Sequence, residues 1–237
     1  MRILAIDTCA KTAAAAVLTD GKPTAMFTLQ TQTHSTTLLP MIESMLQLHG
    51  LTCDDIDAYA VACGPGSFTG VRIGVAAVKG LAFAKSTPCI GVSATEAMAE
   101  NFRGIEGIIV PATDARRDMV YTALFRSKAD GSLERLTQDE QVAIPDLLEA
   151  LTRFDGERIY FGGDAYDRLT SDPQRPSGTG HTPTELRIQS AYGVARAALE
   201  KWNKTENKSV FSDVNLLPVY LKKSQAERER EERLAAE

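Results

Sequence analysis

Short, almost wholly apolar runs separated by glycine and polar turns open the chain. Residues 2–7 form one such run, the pattern of a strand covered on both faces, and a second run follows at 13–18. Asp20-Gly21 predicts a hairpin turn into a third strand at 24–29, antiparallel to the second. Helical patterns come next, so the opening predicts an α/β fold, although not a dinucleotide-binding one.

Two helices are predicted around a buried strand at 56–63. Ser35 is the expected N-cap of the first helix, which ends near His49, before the stop signal Gly50. Its apolar residues cover more of the helix than a single core-facing stripe requires, so part of it is expected to face another subunit. The second helix is predicted at 71–85, with small residues at helical spacing on one face.

The stretch Gly64-Pro-Gly-Ser-Phe-Thr-Gly70 joins that strand to the second helix. Such a loop can turn backbone N–H groups toward an anion, or it can be a tight turn whose glycines let the helix pack closely on the sheet. It is not a P-loop, because Val71-Arg72 stands where a lysine and a serine or threonine would follow the last glycine. We prefer the packing interpretation and keep anion binding as the alternative.

The second half of the chain repeats this opening. A buried strand at 108–112 ends in Thr113-Asp114, where the first strand ends in Asp7-Thr8, and a charged turn and another strand follow. Two similar openings indicate two related lobes with mixed sheets flanked by helices. The predicted division is an N-terminal lobe at 1–103, a C-terminal lobe at 104–215, and a segment at 216–237 that docks back on the first lobe and ends, from residue 222, in a mixed-charge helix or tail.

Composition and charge narrow the class of protein. The 237 residues are 43% hydrophobic and 24% charged, as is ordinary for a globular protein, and the net charge is −5. Such a chain has no electrostatic reason to hold nucleic acid by itself. Four cysteines without a Cys-x-x-Cys pair are expected to be reduced, buried thiols, and the sequence has neither a signal-peptide pattern nor a long apolar span. A cytoplasmic location is expected.

Acidic residues at strand ends and glycine turns between lobes are the parts of the actin-like ATPase and sugar-kinase architecture, which clasps a nucleotide. The candidate nucleotide or anion contacts are Asp7, Thr8, Gly64, Gly66, Ser67, Gly70, Gly162 and Gly163. For Asp7 and Asp114, bonding of turn N–H groups is the preferred role. The three histidines never share a helix turn, which argues against a two-histidine metal site.

Several motifs together resemble one known family. They are Ile6-Asp7-Thr8, His34-Ser35 with Leu38-Leu39-Pro40-Met41-Ile42, the run from Gly64 to Gly74, Asp114-Ala115-Arg116-Arg117, and Pro218-Val-Tyr-Leu221. This set resembles the bacterial TsaB (YeaZ) family over nearly the whole chain. The resemblance implies two RNase H-like lobes of the actin-like ATPase (ASKHA) superfamily. It also implies a role in forming the threonylcarbamoyl group on the adenosine beside the anticodon of tRNA.

The resemblance further implies partners and a non-catalytic role. The TsaB-type subunit dimerises with a related catalytic TsaD-type subunit, forms a homodimer when alone, engages a TsaE-type ATPase, and meets tRNA only through the complex. The catalytic relative holds its metal with a His-x-x-x-His pair, whereas Ala94 and Met98 stand at those positions here, so neither metal nor other cofactor is expected.

The resemblance places the two predicted helices in a helical bundle with the partner or with a second copy. The expected interface residues are Leu38, Leu39, Ile42, Met45, Val71, Gly74, Val75 and Val78. Two other functions remain as alternatives. One is a stand-alone actin-fold kinase or ATPase that uses Asp7 and Gly162-Gly163, and the other is a metallopeptidase, which would contain zinc or iron.

Overall fold

The computed structural model describes residues 1–30 and 33–222. The predicted mixed-charge helix or tail therefore lies, from residue 223 onward, outside the described residues. Within the described part of the chain, no helix combines the length and the apolar character needed to cross a bilayer.

The first lobe is built on a five-stranded sheet of order β3-β2-β1-β4-β5. Its strands are β1 (Arg2–Asp7), β2 (Thr12–Thr19), β3 (Lys22–Gln30), β4 (Ala58–Ala62) and β5 (Cys89–Val92). The first three form the predicted antiparallel meander, and β4 and β5 run parallel to β1. Every residue of β1 from Ile3 onward is buried, which requires cover on both faces of the sheet.

Helices α1 (His34–His49) and α2 (Phe68–Phe83) pack beside each other on this sheet. The predicted cap Ser35 is wrong, because the N-cap of α1 lies two residues earlier, at Thr33, and makes no side-chain capping hydrogen bond. Helix α1 ends at Gly50 with φ of 70°, as predicted. Helix α2 begins three residues before the prediction, because the Ser67 side chain accepts a hydrogen bond from the N–H of Gly70 and caps the helix.

The second lobe is built around the long strand β6. Its strands are β6 (Gly107–Asp114), β7 (Met119–Thr122), β8 (Phe125–Ser127), β9 (Leu133–Arg135), β10 (Glu140–Ala143) and β11 (Ile159–Gly162). Strands β7 and β8 pair antiparallel with different halves of β6, so the strand predicted at 119–126 is interrupted at Ala123-Leu124. Strand β11 pairs with β6 in parallel.

Five further helices complete the fold. They are α3 (Ala94–Ala99), α4 (Ile144–Leu151), α5 (Tyr166–Ser171), α6 (Thr184–Arg187) and α7 (Ala191–Lys204). The segment between α5 and α6 is tied to the second sheet, since Thr179 forms a β-bridge with Ile159 and the N–H of Gly180 donates to the Ile159 carbonyl at 2.8 Å.

The predicted lobe boundary at residue 215 is wrong for α7. Val194, Ala195 and Ala198 are fully buried in the core of the first lobe, where α7 contacts β1, β2 and β4. The physical reason is that β1 and β2 are apolar on both faces of the sheet. Helices α1 and α2 cover one face, and the other face needs a helix that the first hundred residues do not supply. The chain therefore crosses back to the first lobe before α7 begins.

Helices α3 and α7 cross so closely that the contact requires glycine. A Cβ atom on Gly193 would lie 2.0 Å from the carbonyl oxygen of Ala97. We expect Gly193→Ala to lower the free energy of unfolding by roughly 1–3 kcal/mol, because the helices must move apart. Gly80→Ala is the matched control, since that helical glycine has nothing within 4 Å of its Cβ position and should gain up to about 1 kcal/mol. Urea unfolding of both variants measures the difference; equal stability of Gly193→Ala and wild type would contradict the close-crossing argument.

Candidate interlobe site

A cavity of about 500 Å³ lies between the two lobes. The first lobe contributes the turn between β1 and β2, the start of α2, and the C-terminal segment Val219–Lys222; the second contributes the end of β6, the turn after it, Tyr121 and Asp164. Of the eight predicted nucleotide or anion contacts, Gly66 and Ser67 line this cavity. The sequence did not single out Lys11, Tyr121 or Asp164, because only the tertiary structure brings their segments together.

The glycine loop is a packing device. Cβ atoms added to it would lie 2.5 Å from the Cys9 carbonyl oxygen at Gly66 and 2.0 Å from the Thr8 carbonyl oxygen at Gly70. Gly64 has φ of 110°, and a Cβ there would lie 2.4 Å from the carbonyl oxygen of Val219. These contacts support the packing interpretation, because a side chain at any of the three positions would strike the backbone of another segment.

Asp7 and Thr8 face into the protein. The Asp7 carboxylate is buried and accepts a hydrogen bond from the Cys9 N–H at 2.8 Å, and the Thr8 hydroxyl donates to the Gly70 carbonyl at 2.7 Å. Burial raises the pKa of Asp7 from 3.8 to about 6, against the Cys9 hydrogen bonds and the charge of His34, which lower it. These contacts support the preferred role of Asp7, which is to bond a backbone N–H group of the turn.

Gly162 and Gly163 hold strand β11 against its neighbours. A Cβ on Gly163, where φ is 93°, would lie 2.2 Å from the Ala112 carbonyl oxygen, and the N–H of Gly163 donates to the Arg187 carbonyl at 2.9 Å. Gly162 lies against Phe102. The next residue, Asp164, reaches the cavity wall and accepts a hydrogen bond from the Asp114 N–H at 2.8 Å.

An aromatic clamp fixes the C-terminal segment over the start of α2. The rings of Phe68 and Tyr220 stack with centroids 4.4 Å apart, and the Arg72 guanidinium lies 3.9 Å from the Phe68 centroid. The Arg72 Nε–H also donates to the Tyr220 hydroxyl at 2.8 Å. The N–H of Val219 donates to the Cys63 carbonyl at 2.7 Å, so residues 219–222 form a fixed wall of the cavity.

The positions where the catalytic relative would carry histidines do not fit a metal ion. Ala94 and Met98 are buried, and Met98 packs beside Gly162. No group of three or more His, Cys, Asp or Glu side chains among residues 1–30 and 33–222 could hold a metal. The His34 Nε2 is hydrogen-bonded to the Ala10 carbonyl oxygen at 2.8 Å. Of the four cysteines expected to be buried, Cys53 is exposed.

The predicted interface residues are mostly inside the chain. Seven of the eight are buried in the first lobe, namely Leu38, Ile42, Met45, Val71, Gly74, Val75 and Val78, and only Leu39 is exposed, at 50%. These seven residues cover the sheet of their own chain. The prediction that they lie in an interface is therefore corrected. The exposed residues of α1 and α2 are others, including Leu48, Ala76, Gly80 and Phe83.

Comparison with known proteins gives consistent matches. The family model described as "TsaD: tRNA N6-adenosine threonylcarbamoyltransferase" matches residues 28–227. The "tRNA threonylcarbamoyladenosine biosynthesis protein TsaB" of Bacillus subtilis (strain 168) is 39% identical over 165 residues, covering 69% of this chain and 72% of that protein. The protein of the same name from Haemophilus influenzae is 30% identical over 231 residues, 94% of each chain.

A solved structure extends the similarity to three dimensions. YeaZ from Pseudomonas aeruginosa superposes with a TM-score of 0.75 at 28% identity, covering 93% of this chain and 99% of that one. Together with the two-lobed topology, these matches confirm the predicted fold class, two RNase H-like lobes of the actin-like ATPase superfamily.

The raised pKa of Asp7 gives stability a distinct pH dependence. Because the folded-state pKa of about 6 lies above the unfolded value, this group's favourable contribution is complete below about pH 4 and is lost as the pH rises through 6. We expect Asp7→Asn, which keeps the acceptor oxygen without the charge, to be more stable than wild type at pH 7 by roughly 2–3 kcal/mol. That gain should shrink toward zero near pH 4.

Urea unfolding of wild type and Asp7→Asn at both pH values measures this gain. Glu106→Gln, at an exposed position, is the control and should change stability little at either pH. A gain for Asp7→Asn that stayed the same at pH 4 and pH 7 would show that Asp7 is not held protonated by burial.

Proposed function

The chain belongs to the TsaB (YeaZ) family, and we propose that in tRNA threonylcarbamoyladenosine biosynthesis it is a non-catalytic subunit that activates a TsaD-type catalytic subunit. The observation that supports the non-catalytic role is the burial of Ala94 and Met98 at the positions of the relative's histidines. An aliphatic side chain and a thioether enclosed in a core offer no ligand set for a divalent ion. The chain then acts from the cytoplasm through its protein partners.

The proposed partner surface is the outward side of α1 and α2. Leu39 on α1 and Ala76, Gly80 and Phe83 on α2 are exposed, and the three α2 residues recur at helical spacing. Phe83 is 79% exposed, and Gly80 leaves room for a neighbouring backbone to approach. We propose that this surface binds the TsaD-type subunit, or a second copy of the chain when that subunit is absent, and that a TsaE-type ATPase joins the assembly.

We further propose that any anion entering the interlobe cavity meets Gly66 and Ser67 at the start of α2. Asp7, Thr8, Gly64, Gly70, Gly162 and Gly163 then act through packing and turn formation rather than by contact. The anion would then contact two of the eight predicted residues. A titration with phosphate, monitored through the NMR signals of the backbone amides of residues 66 and 67, tests this proposal.

Reconstitution tests the function directly. The TsaD-type and TsaE-type proteins of the same organism, supplied with the unmodified tRNA and the activated threonylcarbamoyl donor, should modify the tRNA only when this chain is added. The chain alone should turn over neither ATP nor tRNA. Modification that proceeds equally well without the chain would remove the proposed role, and ATP turnover by the chain alone would favour the kinase or ATPase alternative.

Substitutions on the outward side of α1 and α2 should separate loss of partner binding from loss of folding. We expect Ala76→Glu to weaken binding to the TsaD-type subunit by roughly 2 kcal/mol while leaving the chain folded, because a charge enters a contact surface from an exposed position. Val75→Glu should instead unfold the first lobe, since Val75 is 4% exposed. Affinity is measured by calorimetry and folding by circular dichroism.

Ile188→Glu is the matched control for Ala76→Glu. Ile188 is also an exposed apolar residue, at 39%, but it lies in the segment between α6 and α7 rather than on α1 or α2. It should bind the TsaD-type subunit like wild type. Normal binding by Ala76→Glu would place the partner on another surface.

A further inference from the structure

The turn between β6 and β7 has an unusual backbone. Three consecutive residues that are not glycine, Arg116, Arg117 and Asp118, have φ of 64°, 53° and 58°. In this left-handed conformation the Cβ atom crowds the following carbonyl oxygen, so residues with a side chain rarely adopt it. Asparagine or glycine would adopt it more readily, and the sequence has neither at these positions. Such backbone conformations persist where the surrounding structure enforces them, and they cluster at functional sites.

Hydrogen bonds on both sides hold this turn in place. The N–H of Ala115 donates to the Met119 carbonyl at 2.9 Å, and the N–H of Met119 donates to the Arg116 carbonyl at 3.1 Å. The N–H of Arg116 donates to the Asp114 carboxylate at 2.9 Å. The strained conformation is therefore enforced by a closed set of bonds within the turn and its flanking strands.

Arg168 pairs with both carboxylates of the same turn. Its guanidinium lies 3.1 Å from the Asp114 carboxylate and 2.6 Å from that of Asp118. With both engaged by Arg168, the positive charges of Arg116 and Arg117 are left without an acidic partner on the turn.

The two arginine side chains are exposed and have no polar, ionic or ring contact among the described residues. Across residues 1–30 and 33–222, neither guanidinium has a hydrogen bond, ion pair or ring contact. Eight other arginines among the described residues do have such contacts: Arg72, Arg103, Arg126, Arg135, Arg153, Arg168, Arg187 and Arg196. Arg116 also lines the interlobe cavity, and Arg117 is the next residue of the same turn.

We propose that the turn formed by Arg116 and Arg117 is a docking point for paired carboxylates on an acidic surface of a protein partner. A guanidinium presents a planar fork that matches a carboxylate, and two adjacent forks on a fixed turn select two such groups. A nucleic acid is disfavoured, because the chain carries a net charge of −5 and two cations neutralise only about two phosphates, whereas binding of duplex DNA typically uses about 6–10 such contacts.

This inference rests on the proposed function, because the partner is sought among the proteins of the same complex. Binding of the TsaD-type and TsaE-type proteins is measured for wild type and for the double variant Arg116→Asn, Arg117→Asn, at about 50 and 300 mM salt. Asparagine tolerates the left-handed conformation, so the variant removes the charge without removing the turn. We expect it to bind at least one of the two proteins roughly tenfold more weakly at low salt and to lose most of the salt dependence.

The control changes the same charge elsewhere. Arg158 and Arg175 are exposed arginines of the second lobe whose side chains also have no partner among the described residues, so Arg158→Asn, Arg175→Asn should bind like wild type. The melting temperature of the Arg116→Asn, Arg117→Asn variant should equal that of wild type or exceed it by a few degrees, because backbone strain is relieved. A merely structural turn would not combine retained stability with lost affinity.

Three outcomes would overturn the inference. Equal affinity of the variant and wild type for both proteins removes the docking point. Unchanged protein affinity together with loss of tRNA binding by the assembled complex assigns the arginines to nucleic acid instead. Wild type that binds neither protein overturns the proposed function itself and with it this inference, and it differs from the first outcome because no affinity exists to be lost.

Discussion

The structure depends on a close approach of backbone to backbone around residues 64–70. Gly66 and Gly70 bring the start of α2 onto the turn between β1 and β2, and Gly64 admits the C-terminal segment at Val219. Each contact is shorter than a Cβ atom would allow, so three separate parts of the chain are fixed relative to one another by the absence of side chains. The same three parts form the first-lobe wall of the interlobe cavity. A loop that resembles a phosphate cradle in sequence therefore serves here to assemble a surface.

The second lobe is attached to this frame on the side of α3. Arg103 donates to the Gly131 carbonyl at 2.6 Å and pairs with the buried Glu100 at 2.6 Å, and it also pairs with Glu200 of α7. The Thr95 hydroxyl donates to Asp139, across the lobe boundary. A buried carboxylate such as Glu100 is costly when it lacks a partner, so this network specifies one arrangement of α3, α7 and the β8–β9 turn more than it adds stability.

The charged groups near the interlobe cavity are arranged at an energetic cost. Asp7 is buried with a raised pKa, although a neutral side chain would fill the same space more cheaply. The turn at 116–118 holds three side-chain-bearing residues in the left-handed region, and Arg168 pairs with the carboxylates of Asp114 and Asp118. Proteins keep such features where binding or assembly uses them, and the turn borders the cavity through Arg116.

The sequence determined the elements and the family, because apolar periodicity, turn residues and long motifs are local properties of the chain. The opening meander, the glycine loop and the two lobes follow from it directly. Which apolar residues of α1 and α2 face a partner could not be read from it, since periodicity marks a buried side without saying what buries it. Only the tertiary structure showed that Leu38 and Val75 cover the chain's own sheet and that α7 returns to the first lobe. It also showed that Arg168 pairs with Asp114 and Asp118, while Arg116 and Arg117 have no ion pair within the described part of the chain. Each of these depends on contacts between segments far apart in sequence.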